Sequence, residues 1–151
     1  MPRSRSTTRR RNHTRSRAVL TVGTALYLAF VGWVTLGPQP LDDTNNGWLK
    51  TLIASFASNP ATAWITYDLI EFTANVAMFV PLGCLFVLLL GGRRWWLALL
   101  FGILLTCFIE FTQQFLPTRF PDLRDIVANS LGAALGIVGV LTILGIRSAR
   151  R

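Results

Sequence analysis

Residues 107–136 read CFIEFTQQFLPTRFPDLRDIVANSLGAALG and lie between two strongly apolar runs, yet they carry Glu110, Gln113, Gln114, Arg119, Asp122, Arg124, Asp125 and Asn129. Carboxylates of this kind move protons, hold cations or orient an arginine. A guanidinium fork recognises phosphate or carboxylate, and Asn and Gln supply directional hydrogen bonds. The spacing adds to the chemistry. Glu110 and Gln114 are i,i+4, Asp122, Asp125 and Asn129 are i,i+3,i+7, and upstream Glu71 and Asn75 are i,i+4 with Asp68 one turn earlier. Residues at those intervals share one face of a helix. Three helices would therefore each present a polar stripe.

The elements that must position these stripes are membrane spans. Hydrophobic residues make up 52% of the 151 and charged residues 15%, against about 25% charged in ordinary soluble domains. Four stretches reach the length that crosses a bilayer, about 18 or more apolar residues: roughly 18–36, 70–90, 95–116 and 126–146. The expected fold is an all-α membrane protein of four transmembrane helices in a small antiparallel bundle. It occupies residues 18–146, between basic tails at 1–17 and 147–151. The short connections GGRR and PTRFPDLR make the last three helices sequential antiparallel neighbours.

Basic residues set the orientation. Seven of the fifteen Lys and Arg fall in Arg3–Arg17, two more are Arg93 and Arg94, and three are Arg147, Arg150 and Arg151. Only Lys50, Arg119 and Arg124 fall on the other side, with every acidic residue. Both termini are therefore expected in the cytoplasm of a multi-pass protein of the bacterial cell membrane, and the polar stripes near the outer face. The Arg-rich start reads as a disordered tail that meets anionic headgroups rather than nucleic acid. The first span is longer than a signal-peptide core, and TLGPQP offers no small-x-small cleavage site.

In the outer loop, Trp48, Leu49, Leu52, Ile53 and Phe56 recur at helical spacing, as in a short interfacial helix or a plain surface helix packed on the bundle. Pro81 inside the second span removes the partner of the Ala77 carbonyl and is expected to bend the helix. Cys84 and Cys107 fall at different depths of their helices, which disfavours a disulfide.

A charged Asp, Lys or Arg at a helix centre costs about 2.5–3.5 kcal/mol on insertion. Ten Leu, Ile or Phe between Leu97 and Phe111 offset the cost of the off-centre Glu110. Its carboxylate should nevertheless face the bundle interior, with Arg119 and Arg124 as nearest counter-charges. Structural roles compete for the same residues. Asn75, Gln114 and Asn129 can bond across helices, Asp122 and Asp125 can cap the fourth helix, and Gly132, Ala133, Gly136 and Gly139 make a small-residue packing face.

These residues also carry a resemblance. NVAMFVPLG (75–83), IEFTQQFLPTR (109–119) and DLRDIVANSLGAALG (122–136) resemble the VanZ-like family of bacterial membrane proteins. The family's Asn, its aromatic-x-Pro-Leu-Gly, Glu-x-x-x-Gln, Pro-x-Arg and Asp-x-x-Asp-x-x-x-Asn-x-x-Gly elements fall on Asn75, Phe79, Pro81, Gly83, Glu110, Gln114, Pro117, Arg119, Asp122, Asp125, Asn129 and Gly132. Pro121 and Arg124 depart from the usual residues at their places. The resemblance implies a small helical membrane bundle and a link to resistance against the glycopeptide antibiotic teicoplanin, with which the namesake is associated.

The leading expectation is a non-enzymatic envelope protein. Asn75, Glu110, Gln114, Arg119, Asp122, Asp125 and Asn129 would bind the headgroup of a lipid-linked cell-wall precursor or a lipoglycopeptide. An intramembrane hydrolase or transferase with Glu110 and Asp125 as its acid/base pair is the alternative, as is a proton-coupled transporter with Glu110 as relay. No Ser–His set, zinc spacing or phosphate-binding Gly loop appears, and His13 is the single histidine. No cofactor or metal is expected, a divalent ion on Glu110, Asp122 and Asp125 being the weaker reading. Oligomeric state is not encoded in any of these motifs. The orientation is testable by cysteine labelling from outside intact cells: a probe at Asn45 should react and one at Ser4 should not, and the opposite pattern inverts the topology.

Overall fold

The computed structural model describes residues 5–37, 51, 54–56, 58–117 and 121–149. Four helices carry the fold: α1 (Arg5–Leu36), α2 (Tyr67–Leu90), α3 (Trp95–Gln113) and α4 (Leu123–Ala149). Each contains a stretch long and apolar enough to cross a membrane. The helical piece at 54–56 stands where the sequence places a short helix in the first loop. Trp48, Leu49, Leu52 and Ile53 lie outside the described residues.

The helix ends follow local chemistry. α1 starts at Arg5, so it takes in most of the basic stretch that the sequence reading assigns to a disordered tail. Arginine is a good helix former, and elongating an existing helix is far easier than nucleating one. The Thr66 hydroxyl accepts the Leu69 N–H at 3.3 Å and caps α2. Its other end is closed by Gly91 at φ +84°, a conformation that favours glycine, with the Gly91 N–H on the Val87 carbonyl at 2.9 Å. The 3₁₀ turn Gly92–Arg94 then leads straight into α3. α2 runs unbroken through Pro81, and the Tyr27 hydroxyl donates to the neighbouring Met78 carbonyl at 3.0 Å.

α3 stops at Gln113, three residues short of the apolar run. Leu116 precedes Pro117, which disfavours the α conformation there. The chain leaves through tightened bonds, Phe115 N–H to the Thr112 carbonyl and Leu116 N–H to that of Gln113. α4 starts at Leu123, ahead of the apolar run at Ile126, because Asp122 supplies a cap.

Contacts give the directions of the helices. A Cβ on Gly132 would collide with the Val76 carbonyl and crowd Phe79, and one on Gly136 would collide with the Val80 carbonyl and crowd the Cys84 N–H. Both numbers rise together, so α2 and α4 are parallel. Gly102 approaches Ala133, and Thr106 bonds Asn129, so α3 is antiparallel to α4. A Cβ on Gly83 would likewise strike the Ala133 carbonyl. Three glycines thus bring two backbones into contact, the arrangement by which membrane helices gain packing energy without a hydrophobic drive. The Cys84 thiol donates to the Gly136 carbonyl at 3.4 Å across the same seam, and neither cysteine is in a disulfide. Gly139, expected in the packing face, has nothing within 4 Å of its Cβ position and takes no part.

Val31, Phe79, Leu82, Ile109 and Ala133 pack as one core cluster, and Val87, Ala98 and Ile137 as a second toward the Gly91 turn. The outward faces keep Leu, Val, Phe and Trp exposed, as a lipid-facing surface requires. Gly136→Ala should destabilise the detergent-purified protein by about 1–3 kcal/mol, the usual cost of overpacking. Gly139→Ala, which has open space, should cost nothing and raise stability by up to about 1 kcal/mol. Thermal unfolding of both variants measures this, and equal stabilities would deny the close α2–α4 approach.

Candidate functional site

The polar stripes converge at one end of the bundle, where α1 and α3 finish and α2 and α4 begin. Glu110, one turn before the end of α3, is only 5% exposed. Its Oε2 accepts the Asp122 backbone N–H at 2.9 Å, so a side chain of one helix caps the entry to the next. Asp122 itself turns back onto α4, its Oδ1 accepting the Arg124 N–H at 2.8 Å. The capping role weighed for Asp122 is therefore real, and Glu110 joins it. The other Glu110 oxygen, Oε1, is buried with no hydrogen-bond partner among the described residues.

Arg124 does not serve as counter-charge to Glu110. Its guanidinium donates to Asp68 Oδ2 at 2.9 Å, linking the starts of α4 and α2. The two side chains are 56% and 60% exposed, so solvent screens the pair and it adds little to stability. The reason is geometric: Arg124 sits on the exposed face of the first turn of α4, away from α3. Arg119, the other candidate, lies outside the described residues. Asp125, half-buried, and Asp122 both act electrostatically on Glu110. Half-buried Glu71 stands in the field of Asp125, Asp68, Asp122 and Arg124. Among the described residues, no three carboxylate, thiol or imidazole groups are grouped so as to share a metal ion.

Asn129 is fully buried and donates from Nδ2 to the Thr106 hydroxyl at 2.9 Å. Its Oδ1 is buried and unpartnered among the described residues. Among the described residues, no hydrogen bond joins Asn129 to Asn75, which is half-buried on α2. Most span threonines back-bond within their own helix, as Thr24, Thr35 and Thr142 do to the carbonyls four residues earlier. Thr106 instead serves a neighbouring helix.

Of the two glutamines, Gln114 is exposed and Gln113 is buried, with Nε2 on the Thr35 carbonyl at 2.9 Å. Sequence reasoning missed Thr106, and it placed Glu71 and Gln113 in the polar stripes but left them out of the expected ligand set. Gln113 had a legible signal, its i,i+3 spacing from Glu110. Thr35 had none, since its carbonyl is used and not its side chain.

A cleft of about 340 Å³ opens between the two helices. Cys107, Glu110, Phe111 and Gln114 line it from α3, and Pro121, Asp122, Leu123 and Ile126 from the start of α4. Phe111 and Leu123 are exposed on the bundle's flank. The cleft therefore joins carboxylate and amide groups to apolar walls that face lipid.

A family model described as VanZ/LLP1 matches residues 24–144. No curated protein and no solved structure was found to match.

The site's polar bonds differ in worth, and stability separates them. Thr106→Val removes the acceptor for Asn129 Nδ2 in a buried place and should cost about 1–3 kcal/mol. Asp68→Asn breaks only the exposed ion pair and should cost less than Thr106→Val does. Denaturant unfolding in detergent checks both, and a reversed order would refute the buried bond.

Proposed function

This chain belongs to the VanZ/LLP1 family of membrane proteins, and from that premise we propose that it is a non-enzymatic envelope protein that binds the headgroup of an amphiphile in the α3–α4 cleft. The observation that carries the reading is Glu110. A carboxylate buried at the edge of a bilayer costs several kcal/mol unless its oxygens are satisfied. Capping the entry to α4 uses one oxygen, Oε2 on the Asp122 N–H, and leaves Oε1 buried without a hydrogen-bond partner among the described residues.

The walls of the cleft say what fits. An acyl or other apolar portion lies along Phe111, Leu123 and Ile126, while the polar portion meets Glu110, Asp122 and Gln114. A lipid-linked cell-wall precursor and a lipoglycopeptide both have this division, and the teicoplanin resistance associated with the family's namesake involves a compound of that kind. The distribution of arginines supports an outer-leaflet position for the cleft in a bacterial membrane. Arg119, five residues beyond Gln114 in the chain, is assigned to the anionic part of the headgroup. Asp125 and Asn129 on α4 itself and Asn75 on α2 are assigned to the support of the site.

Glu110→Gln should insert at the wild-type level, because removing the charge lowers the insertion cost. The amphiphile that co-purifies with the wild type should fall by about tenfold, as should protection against a lipoglycopeptide, because a charged acceptor is worth about 1.5–3 kcal/mol. Arg119→Lys should show the same loss, since an ammonium does not reproduce the planar fork. Mass spectrometry of co-purified lipid, beside membrane level and drug susceptibility, reads all three. Normal retention and susceptibility in both variants at normal level would refute the binding site and leave Glu110 as structure.

A further inference from the structure

We infer that the α3–α4 cleft selects a headgroup carrying a primary ammonium, admitted sideways from the lipid between Phe111 and Leu123; this rests on the amphiphile-binding reading above. Charge is the first ground. The acidic side chains on or beside the helix ends here are Asp68, Glu71, Glu110, Asp122 and Asp125, while the basic ones in these segments are Arg119 and Arg124. Arg124 is held on the exposed rim by Asp68. Acids outnumber bases even if Arg119 is counted wholly against them. No basic side chain is among the described residues that line the cleft.

Hydrogen bonding is the second ground and is independent of net charge. Glu110 is nineteen-twentieths buried, and its Oε1 has no donor among the described residues. An ionised carboxylate only accepts, and a cationic donor both completes Glu110 and favours that ionised state. A primary ammonium supplies up to three donors and the charge in one compact head. A hydroxyl supplies a donor without charge, and a quaternary ammonium supplies charge without a donor. The exposed Gln114 at the mouth offers an amide that accepts and donates, suited to the ester or phosphate next to the amine.

Geometry is the third ground. Both walls belong to adjacent helices, and exposed Phe111 and Leu123 stand on them. A membrane-resident molecule reaches such an opening by lateral diffusion, with its apolar part remaining in lipid. The shared chemistry is an amine on an amphiphile, whether an aminophospholipid of the bilayer or an amine-bearing lipopeptide.

The test uses the full chain in phosphatidylcholine nanodiscs containing a small fraction of one probe lipid. The probes are phosphatidylethanolamine, phosphatidylglycerol, or phosphatidylethanolamine acetylated on its nitrogen. Native mass spectrometry reads the retained lipid. The wild type should retain the free amine over both other probes by about tenfold, the scale of one charge-assisted hydrogen bond. Glu110→Gln should bring the three together, and Cys107→Trp, at an exposed position in the cleft wall, should reduce retention of all of them. Competition by a soluble amine-bearing lipopeptide against the retained lipid tells whether both sources reach the cleft. Equal retention of the three probes by the wild type, still reduced by Cys107→Trp, overturns the amine inference and leaves the amphiphile site standing. Retention indifferent to both substitutions puts the lipid elsewhere on the protein and overturns both readings.

Discussion

The contact between the backbones of α2 and α4 is the constraint from which the rest of this bundle follows. In lipid there is no hydrophobic drive to bring two helices together, so packing must do it. Gly83, Gly132 and Gly136 remove the side chains that would hold α2 and α4 apart. Once that seam is closed, the rotation of α4 about its axis has no freedom left. Asn129, one turn before Gly132, then has to point toward α3 and Thr106. The first turn of α4 arrives beside the end of α3, where Glu110 meets the Asp122 N–H.

Polar groups in this protein divide by whether they have an escape to water or headgroups. Asp68 and Arg124 do, and their ion pair is an exposed strap of small energetic weight. Glu110, Gln113 and Asn129 do not, and each is anchored to another helix: Asp122 on the approach to α4, Thr35 on α1 and Thr106 on α3. The anchors are unequal in kind. Two of the three use backbone groups, a carbonyl at Thr35 and an N–H at Asp122. Backbone groups at helix ends lack intrahelical partners, so long side chains from neighbouring helices can bond there without breaking a helix. The acidic end is therefore both the place where the helices are tied and the place where a carboxylate is left half satisfied.

The proposed binding role draws on that coincidence. A helix entry needs an anion or an acceptor for its free N–H groups, and a ligand site needs acceptors that are held still. Glu110 is fixed by the first requirement, and the proposed amphiphile binding has it serve the second. Apolar residues of α3 and α4 flank it on the lipid side, so the same residues that let the helices span the bilayer also shape the route into the cleft.

Much of this was legible in the chain. The four spans follow from runs of apolar residues longer than any soluble helix needs. The polar stripes follow from helical spacing, and the capping role of Asp122 from its place ahead of an apolar run. Family membership was carried by short motifs in order along the second half of the chain. Spacing, however, fixes only which residues share a face on one helix. It says nothing about how far neighbouring helices are rotated, or by how much they slide along one another. Those two variables decided that Gln113 rather than Gln114 is buried, that Arg124 meets Asp68 rather than Glu110, and that Asn129 bonds Thr106. They also decided that Gly139 has no neighbour while Gly136 touches a backbone. The helix boundaries near Gln113 and Leu123 needed the structure too, because hydropathy stops where polarity begins, whereas a helix stops where its hydrogen bonds can be handed on. Sequence alone determined that acidic groups would gather at one end of a membrane bundle. Only the packing of α2 against α4 determined which oxygen among them would be left without a partner.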